Sequence, residues 1–147
     1  MSGETRKTSV SLVVPEHPAY LSVVRQAVAS IARSMGFDEV DVLQLQMAVD
    51  EACNNVIEHG ERGPKSGSIK LKLDALPEKL VMQVHDRCHR FSPLERQIPN
   101  LDEYFGRPSA KGLGLVILRK FVDEIHHCYR TDSGNRLSLT KYLPGHR

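Results

Sequence analysis

The spacing of apolar positions changes several times along the chain, and each change marks an element. Residues 8–14 alternate in the manner of a half-buried strand, and Pro15 ends the run. Between 17 and 35 the apolar residues Leu21, Val24, Ala27, Val28, Ile31 and Ala32 recur at three- and four-residue steps, with Gly36 placed as a C-cap. That spacing predicts an amphipathic helix. A second helix is predicted to start near Asp38, whose carboxylate can accept a backbone N–H of the first turn, and to end at Gly60. Its buried stripe is Val42, Leu45, Val49, Ala52 and Val56.

Residues 61–67 carry glycine, proline and charges and read as a loop, after which 68–73 and 79–84 read as two strands joined through Pro77. From 91 to 111 the periodicity vanishes under Pro93, Pro99, Gly106 and Pro108, and a loop of that length in a compact domain is expected to act as a lid. A third helix is predicted to open at Gly112-Leu113-Gly114 and to run to about Ile125. Strands over 126–131 and 136–142 flank Asp132-Ser133-Gly134-Asn135, a hairpin signal. The order is β-α-α-β-β-lid-α-β-β. Its economical packing is an α+β two-layer sandwich, with the helices on one face of a mostly antiparallel sheet.

Composition narrows the class without naming a chemistry. A chain of 147 residues, 40% hydrophobic and 26% charged, can bury one core, so a single domain is expected over 1–147, with 1–7 as a flexible tail. The formal charge is +2 and the Lys and Arg residues are scattered among Asp and Glu, which argues against direct nucleic-acid binding. Cys53, Cys88 and Cys128 are odd in number and far apart, and no secretory segment is recognisable, so a reducing cytoplasm is expected. The apolar runs, such as 113–118, fall far short of the roughly 20 residues that span a bilayer.

Three stretches can carry chemistry. On the second helix Glu51, Asn55 and His59 fall within about 80° of one another, on one edge of the apolar stripe. They read either as a solvated face with a histidine favoured by the helix dipole, or as a site. In a site, the Asn55 amide oxygen would face a Mg²⁺ held by nucleotide phosphates and Glu51 would polarise an attacking hydroxyl. Ala110-Lys111-Gly112-Leu113-Gly114-Leu115 opens a helix with small residues, so backbone N–H groups could close on a phosphate there; it also reads as an ordinary loop-to-helix joint. Val84-His85-Asp86 ends an apolar strand in a carboxylate that could cap a turn or accept the exocyclic amine of an adenine. Two further clusters, His85, Cys88 and His89, and His126, His127 and Cys128, match no zinc spacing, and alternate strand residues diverge.

The order of these stretches, a helix with Glu-x-x-x-Asn, a strand ending in Asp, a lid, then Gly-x-Gly opening a helix, resembles the GHKL ATPase and kinase superfamily. The short chain and its Glu-Ala-x-x-Asn-x-x-x-His-Gly segment look like the anti-sigma serine/threonine kinases of RsbW and SpoIIAB type, over about residues 8–143. The resemblance implies a Bergerat-type sandwich that binds ATP and Mg²⁺. It implies Glu51 as catalytic base, Asn55 as Mg²⁺ ligand, and His59, Asp86, Lys111, Gly112, Leu113 and Gly114 around the nucleotide. It further implies a cytoplasmic homodimer that phosphorylates a serine of an anti-anti-sigma (STAS) protein and sequesters a sigma factor. The chain departs from the pattern in two places. Cys88 and Arg90 replace the glycines of Asp-x-Gly-x-Gly, where side chains are expected to intrude on the nucleotide, and Gly134-Asn135-Arg136 stands where Gly-Thr-Thr is usual. These departures point to a second reading, a non-catalytic partner-switching module with weak or no nucleotide binding.

Overall fold

The computed structural model describes residues 7–60, 67–89 and 113–146. Strand β1 (Thr8–Pro15) leads through a 3₁₀ turn at Pro18–Tyr20 into helix α1 (Leu21–Met35), and helix α2 spans Glu39–His59. Strands β2 (Ser68–Ala75) and β3 (Lys79–Asp86), helix α3 (Leu113–Phe121) and strands β4 (Glu124–Arg130) and β5 (Gly134–Tyr142) complete the order. Among the described residues five strands join one antiparallel sheet in the order β1-β2-β3-β5-β4. This is the α+β arrangement expected from the periodicity.

Local chemistry explains the boundaries. Asp38 caps α2 by accepting from the backbone N–H of Asp41 at 2.8 Å, and Gly36 takes a φ of 97° to close α1, a conformation that costs glycine little. Helix α3 ends at Phe121, four residues before the Ile125 expected from sequence. The Asp123 N–H bonds the Thr140 carbonyl at 2.8 Å, so sheet pairing claims the chain there. The carbonyl of Phe121 is then taken by the buried Lys141 ammonium at 2.9 Å, which also lies 3.7 Å from Asp41 of α2. One cation thus ties β5 to the ends of two helices.

The core lies between the helices and one face of the sheet. Val42, Leu45, Val49, Ala52 and Val56 of α2 are all buried, as are Ile69, Leu71 and Leu73 of β2, Leu80, Met82 and Val84 of β3, and Leu137 and Leu139 of β5. Helices α1 and α2 pack on each other and α3 packs on α2, so α2 is the central rod of the helical layer. The ion pair of Arg25 with Asp50, at 2.6 Å, fastens α1 to α2 near the middle of that rod. Among the described residues no helix is long and apolar enough to cross a membrane. All three cysteines are free thiols. The segment 91–111 and Arg90 lie outside the described residues, as do Lys111 and Gly112.

Candidate functional site

The alternation of β3 decides which of its polar residues can reach the helices. Leu80, Met82, Val84 and Asp86 point inward and His85 points outward, so the strand delivers one buried carboxylate to the end of the core. Asn55 reaches the same place from α2 and is only 9% exposed. Between them lies a pocket lined by Ala52, Asn55, Val56, Val84, Asp86, His127, Asn135 and Leu137. Four of these side chains are apolar and four are hydrogen-bonding groups, a lining that suits a flat heteroaromatic ring with a few polar edges. The space there that a water-sized sphere can occupy is small, about 10 Å³, within about 250 Å³ of unfilled space that includes open solvent.

Asp86 is held firmly. Its Oδ1 accepts from the Cys88 backbone N–H at 2.9 Å and from the Asn135 amide nitrogen at 2.9 Å. The Asn135 nitrogen also faces the carbonyl oxygens of Cys88 and His89 at 3.3 and 3.0 Å, and its amide oxygen lies 3.0 Å from His127 Nε2. With three acceptors around the amide nitrogen, the amide oxygen must face the ring, so His127 donates through Nε2–H.

Sequence reasoning missed both of these residues as parts of the pocket. In the sequence Asn135 stands where a threonine is usual, and His127 falls in the His126-His127-Cys128 cluster that matches no zinc spacing. What places them is strand register, which local sequence pattern does not give. Asn135 sits opposite Asp86 across β3 and β5, and His127 opposite Leu137, which puts both on the inward face.

Glu51 lies one turn before Asn55 and meets the first turn of α3. A Cβ placed on Gly114 would collide with the Glu51 carboxylate, Cδ lying 3.2 Å away, so only glycine lets α3 approach this closely. Burial, with repulsion from Asp50 and Glu58 added, raises the Glu51 carboxyl above the ordinary carboxylate range. A carboxylate so tuned is a better proton acceptor than an exposed one. Asp50, the adjacent carboxylate, is instead engaged by Arg25. We expect Gly114→Ala to leave the melting temperature within about 2–4 °C of wild type, because the displaced atoms are the flexible end of a side chain and Ala favours helix. Any phosphoryl transfer should nevertheless fall about tenfold or more, because Glu51 must turn aside, and a steady-state assay beside a thermal melt checks both.

The other sequence candidates distribute as follows. His59 ends α2 beside Glu58 at 3.6 Å, outside the pocket lining. Leu113 and Gly114 begin α3, and Lys111 and Gly112 fall outside the described residues. Cys88 does not intrude on the pocket as expected. No non-glycine residue among those described takes positive φ, and the thiol turns away to lie 3.7 Å from Glu16 Oε1. It fills the space beside Gly60, where a Cβ would come within 2.8 Å of the sulfur. Burial and the neighbouring Asp86 and Glu16 carboxylates push that thiol up to about 12, which disfavours the thiolate. His85 is half-buried on the outer face, held below the usual imidazole range by burial and by Arg136, Lys70 and Lys72. Among the described residues no three His, Cys, Asp or Glu side chains converge on a metal position.

The sequence pattern of the histidine kinase-like ATPase domain matches residues 14–141. The chain belongs to that family. Among its relatives, a serine-protein kinase RsbW of Bacillus licheniformis is 29% identical over 138 residues, 91% of this chain and 85% of the relative. RsbW of Bacillus subtilis is 28% identical over 94% of this chain and 88% of the relative, and RsbW of Listeria monocytogenes is 28% identical over 95% and 90%. The ATPase-domain fold is also seen in the crystal structure of the RsbU and RsbW domains of a Mycobacterium tuberculosis protein. That structure superposes with a TM-score of 0.62 at 18% identity, covering 91% of this chain and 31% of the other.

Proposed function

We propose that the protein is an ATP-dependent serine kinase that works as an anti-sigma factor. In this reading it phosphorylates an anti-anti-sigma STAS-domain protein and sequesters a sigma factor when that partner is absent, as a cytoplasmic homodimer. One observation carries the nucleotide part. Asn55, Asp86 and an apolar wall converge on one pocket while Glu51 stands a turn away at the start of α3. The relatives named serine-protein kinase, aligned over most of both chains, support the choice of substrate class.

The residues fit the group. Asp86 is a buried acceptor for an exocyclic amine, Ala52, Val56, Val84 and Leu137 offer apolar contact to a ring, and Asn55 offers a neutral oxygen to a hydrated Mg²⁺. Bound ATP with Mg²⁺ would supply the transferable phosphoryl group and neutralise its charge. The chain's own contribution is to orient the nucleotide through Asp86 and Asn55 and to accept the hydroxyl proton of the protein substrate at the Glu51 carboxylate. Lys111, Gly112, Leu113 and Gly114 are proposed to hold the phosphates from the α3 terminus, with His59 at the rim.

Calorimetric titration with ATP and Mg²⁺ is the test. Binding is expected for the wild type, and Asn55→Ala should lose its Mg²⁺-dependent part while melting normally. Equal affinity in that variant would defeat the assignment. A second reading, a partner-switching module without phosphate transfer, is favoured by Arg90 and Arg136, which stand where the family pattern has a glycine and a threonine. Failure of the wild type to bind ATP at millimolar concentration would select it.

A further inference from the structure

Asn135 occupies a position of unusual leverage. Its amide nitrogen is within 2.9 Å of Asp86 Oδ1, 3.3 Å of the Cys88 carbonyl and 3.0 Å of the His89 carbonyl, while its oxygen receives His127 Nε2–H at 3.0 Å. Asn135 is 3% exposed and Asp86 4%. In so dry a place a carboxylate keeps the orientation its donors impose, since no bulk water competes for it. Both donors named above, the Cys88 N–H and the Asn135 amide, meet at the same oxygen, Oδ1. Together they set the carboxylate plane. The Cys88 donor lies on the segment just after β3 and the Asn135 donor on β5, so the amide also clamps that segment to the sheet.

We infer that Asn135, braced by His127, is a positioning residue that fixes the plane of the Asp86 carboxylate and thereby makes the pocket select a purine carrying an exocyclic amine, adenine over hypoxanthine. The inference rests on the nucleotide reading of the site. An anionic acceptor rewards an amine and repels a carbonyl oxygen at the same ring position, but only if it is held in the plane of the base. Loss of the brace lets the carboxylate turn. Selectivity should then fall more than affinity for the rest of the nucleotide, which is held by groups elsewhere.

The experiment measures the affinities of ATP and of inosine triphosphate, each with Mg²⁺, by calorimetry on wild type, Asn135→Ala, Asn135→Thr and His127→Ala, with a thermal melt of each. Wild type should prefer ATP by about tenfold or more, the discrimination of one hydrogen bond to a charged group. Asn135→Ala should weaken ATP about tenfold and inosine triphosphate by less than about threefold. Asn135→Thr, which keeps one donor, should recover part of the preference. His127→Ala, which leaves Asn135 in place and only frees its amide, should lower the preference in the same direction by a smaller factor, and it carries the test if Asn135→Ala does not fold. Equal weakening of both nucleotides, or an unchanged ratio, would overturn the inference and leave nucleotide binding standing, as would a wild type that binds the two alike. A wild type that binds neither overturns the inference together with the reading of the site.

Discussion

Replacing Glu51 with Gln is expected to lower phosphate transfer to a serine of the protein substrate by about 10²–10⁴, while ATP still binds. The amide keeps the size and hydrogen-bonding reach of the carboxylate and cannot accept a proton. Its surroundings, the first turn of α3 at Gly114 and the neighbouring Asp50, tolerate a neutral group at least as well as a charged one. The variant should therefore fold. Burial raises the Glu51 carboxyl, so the folded state holds this proton more tightly than the unfolded chain does. Glu51 consequently favours folding on the acid side, and that contribution is lost as pH rises through its raised value. Catalysis has the opposite dependence. The rate should climb with pH through a midpoint above the ordinary carboxylate value of about 4.3, and Glu51→Gln should remove that limb. A rate that survives the substitution, or an acid limb unchanged by it, would take the base role away from Glu51.

Gly134→Ala should produce the largest loss of stability from a single methyl group. Gly134 has φ of 87°, and a Cβ there would collide with the Asp86 carbonyl oxygen and lie 2.9 Å from the Arg87 Cα. These are backbone atoms of a paired strand and of the residue after it, with no flexible end to yield. The left-handed conformation alone costs a non-glycine residue about 1–2 kcal/mol, and the collision adds to it. A fall in melting temperature of about 4–8 °C or more is expected for a chain of this size. Gly145, beyond the other end of β5, with φ of 89° and nothing within 4 Å, supplies the contrast, since its Ala variant meets only the conformational cost. Equal melting of the two variants would show that the contact with Asp86 is not binding on the hairpin. A loss at Gly134 should also disturb the pocket, because the next residue is Asn135.

Much of this protein was legible along the chain because period and capping are local properties. The stripe Val42, Leu45, Val49, Ala52 and Val56 could bury only on a helix, Asp38 could cap only its start, and Gly36 closed the helix before it. Asp132-Ser133-Gly134-Asn135 marked the hairpin, although the turn falls at 131–133 and Gly134 and Asn135 already pair as the start of β5. The apolar pattern of helix α3 runs on through Val122 and Ile125, and what ends the helix at Phe121 is a hydrogen bond from Asp123 to Thr140, seventeen residues on. The same limit governs the site. Glu51 and Asn55 share a helix edge by sequence spacing alone, and Asp86 ends its strand by alternation. Which carboxylate of the Asp50-Glu51 pair is free for chemistry was decided by Arg25 on another helix and by the close approach that Gly114 allows. The direction of the Cys88 side chain was decided by the space beside Gly60, and the role of Asn135 by its place opposite Asp86 in the sheet. Local periodicity says which face a residue shares. Contacts between residues dozens of positions apart depend on strand register and helix packing, which no local pattern encodes, and these bring Asp86, Asn135 and His127 into one network.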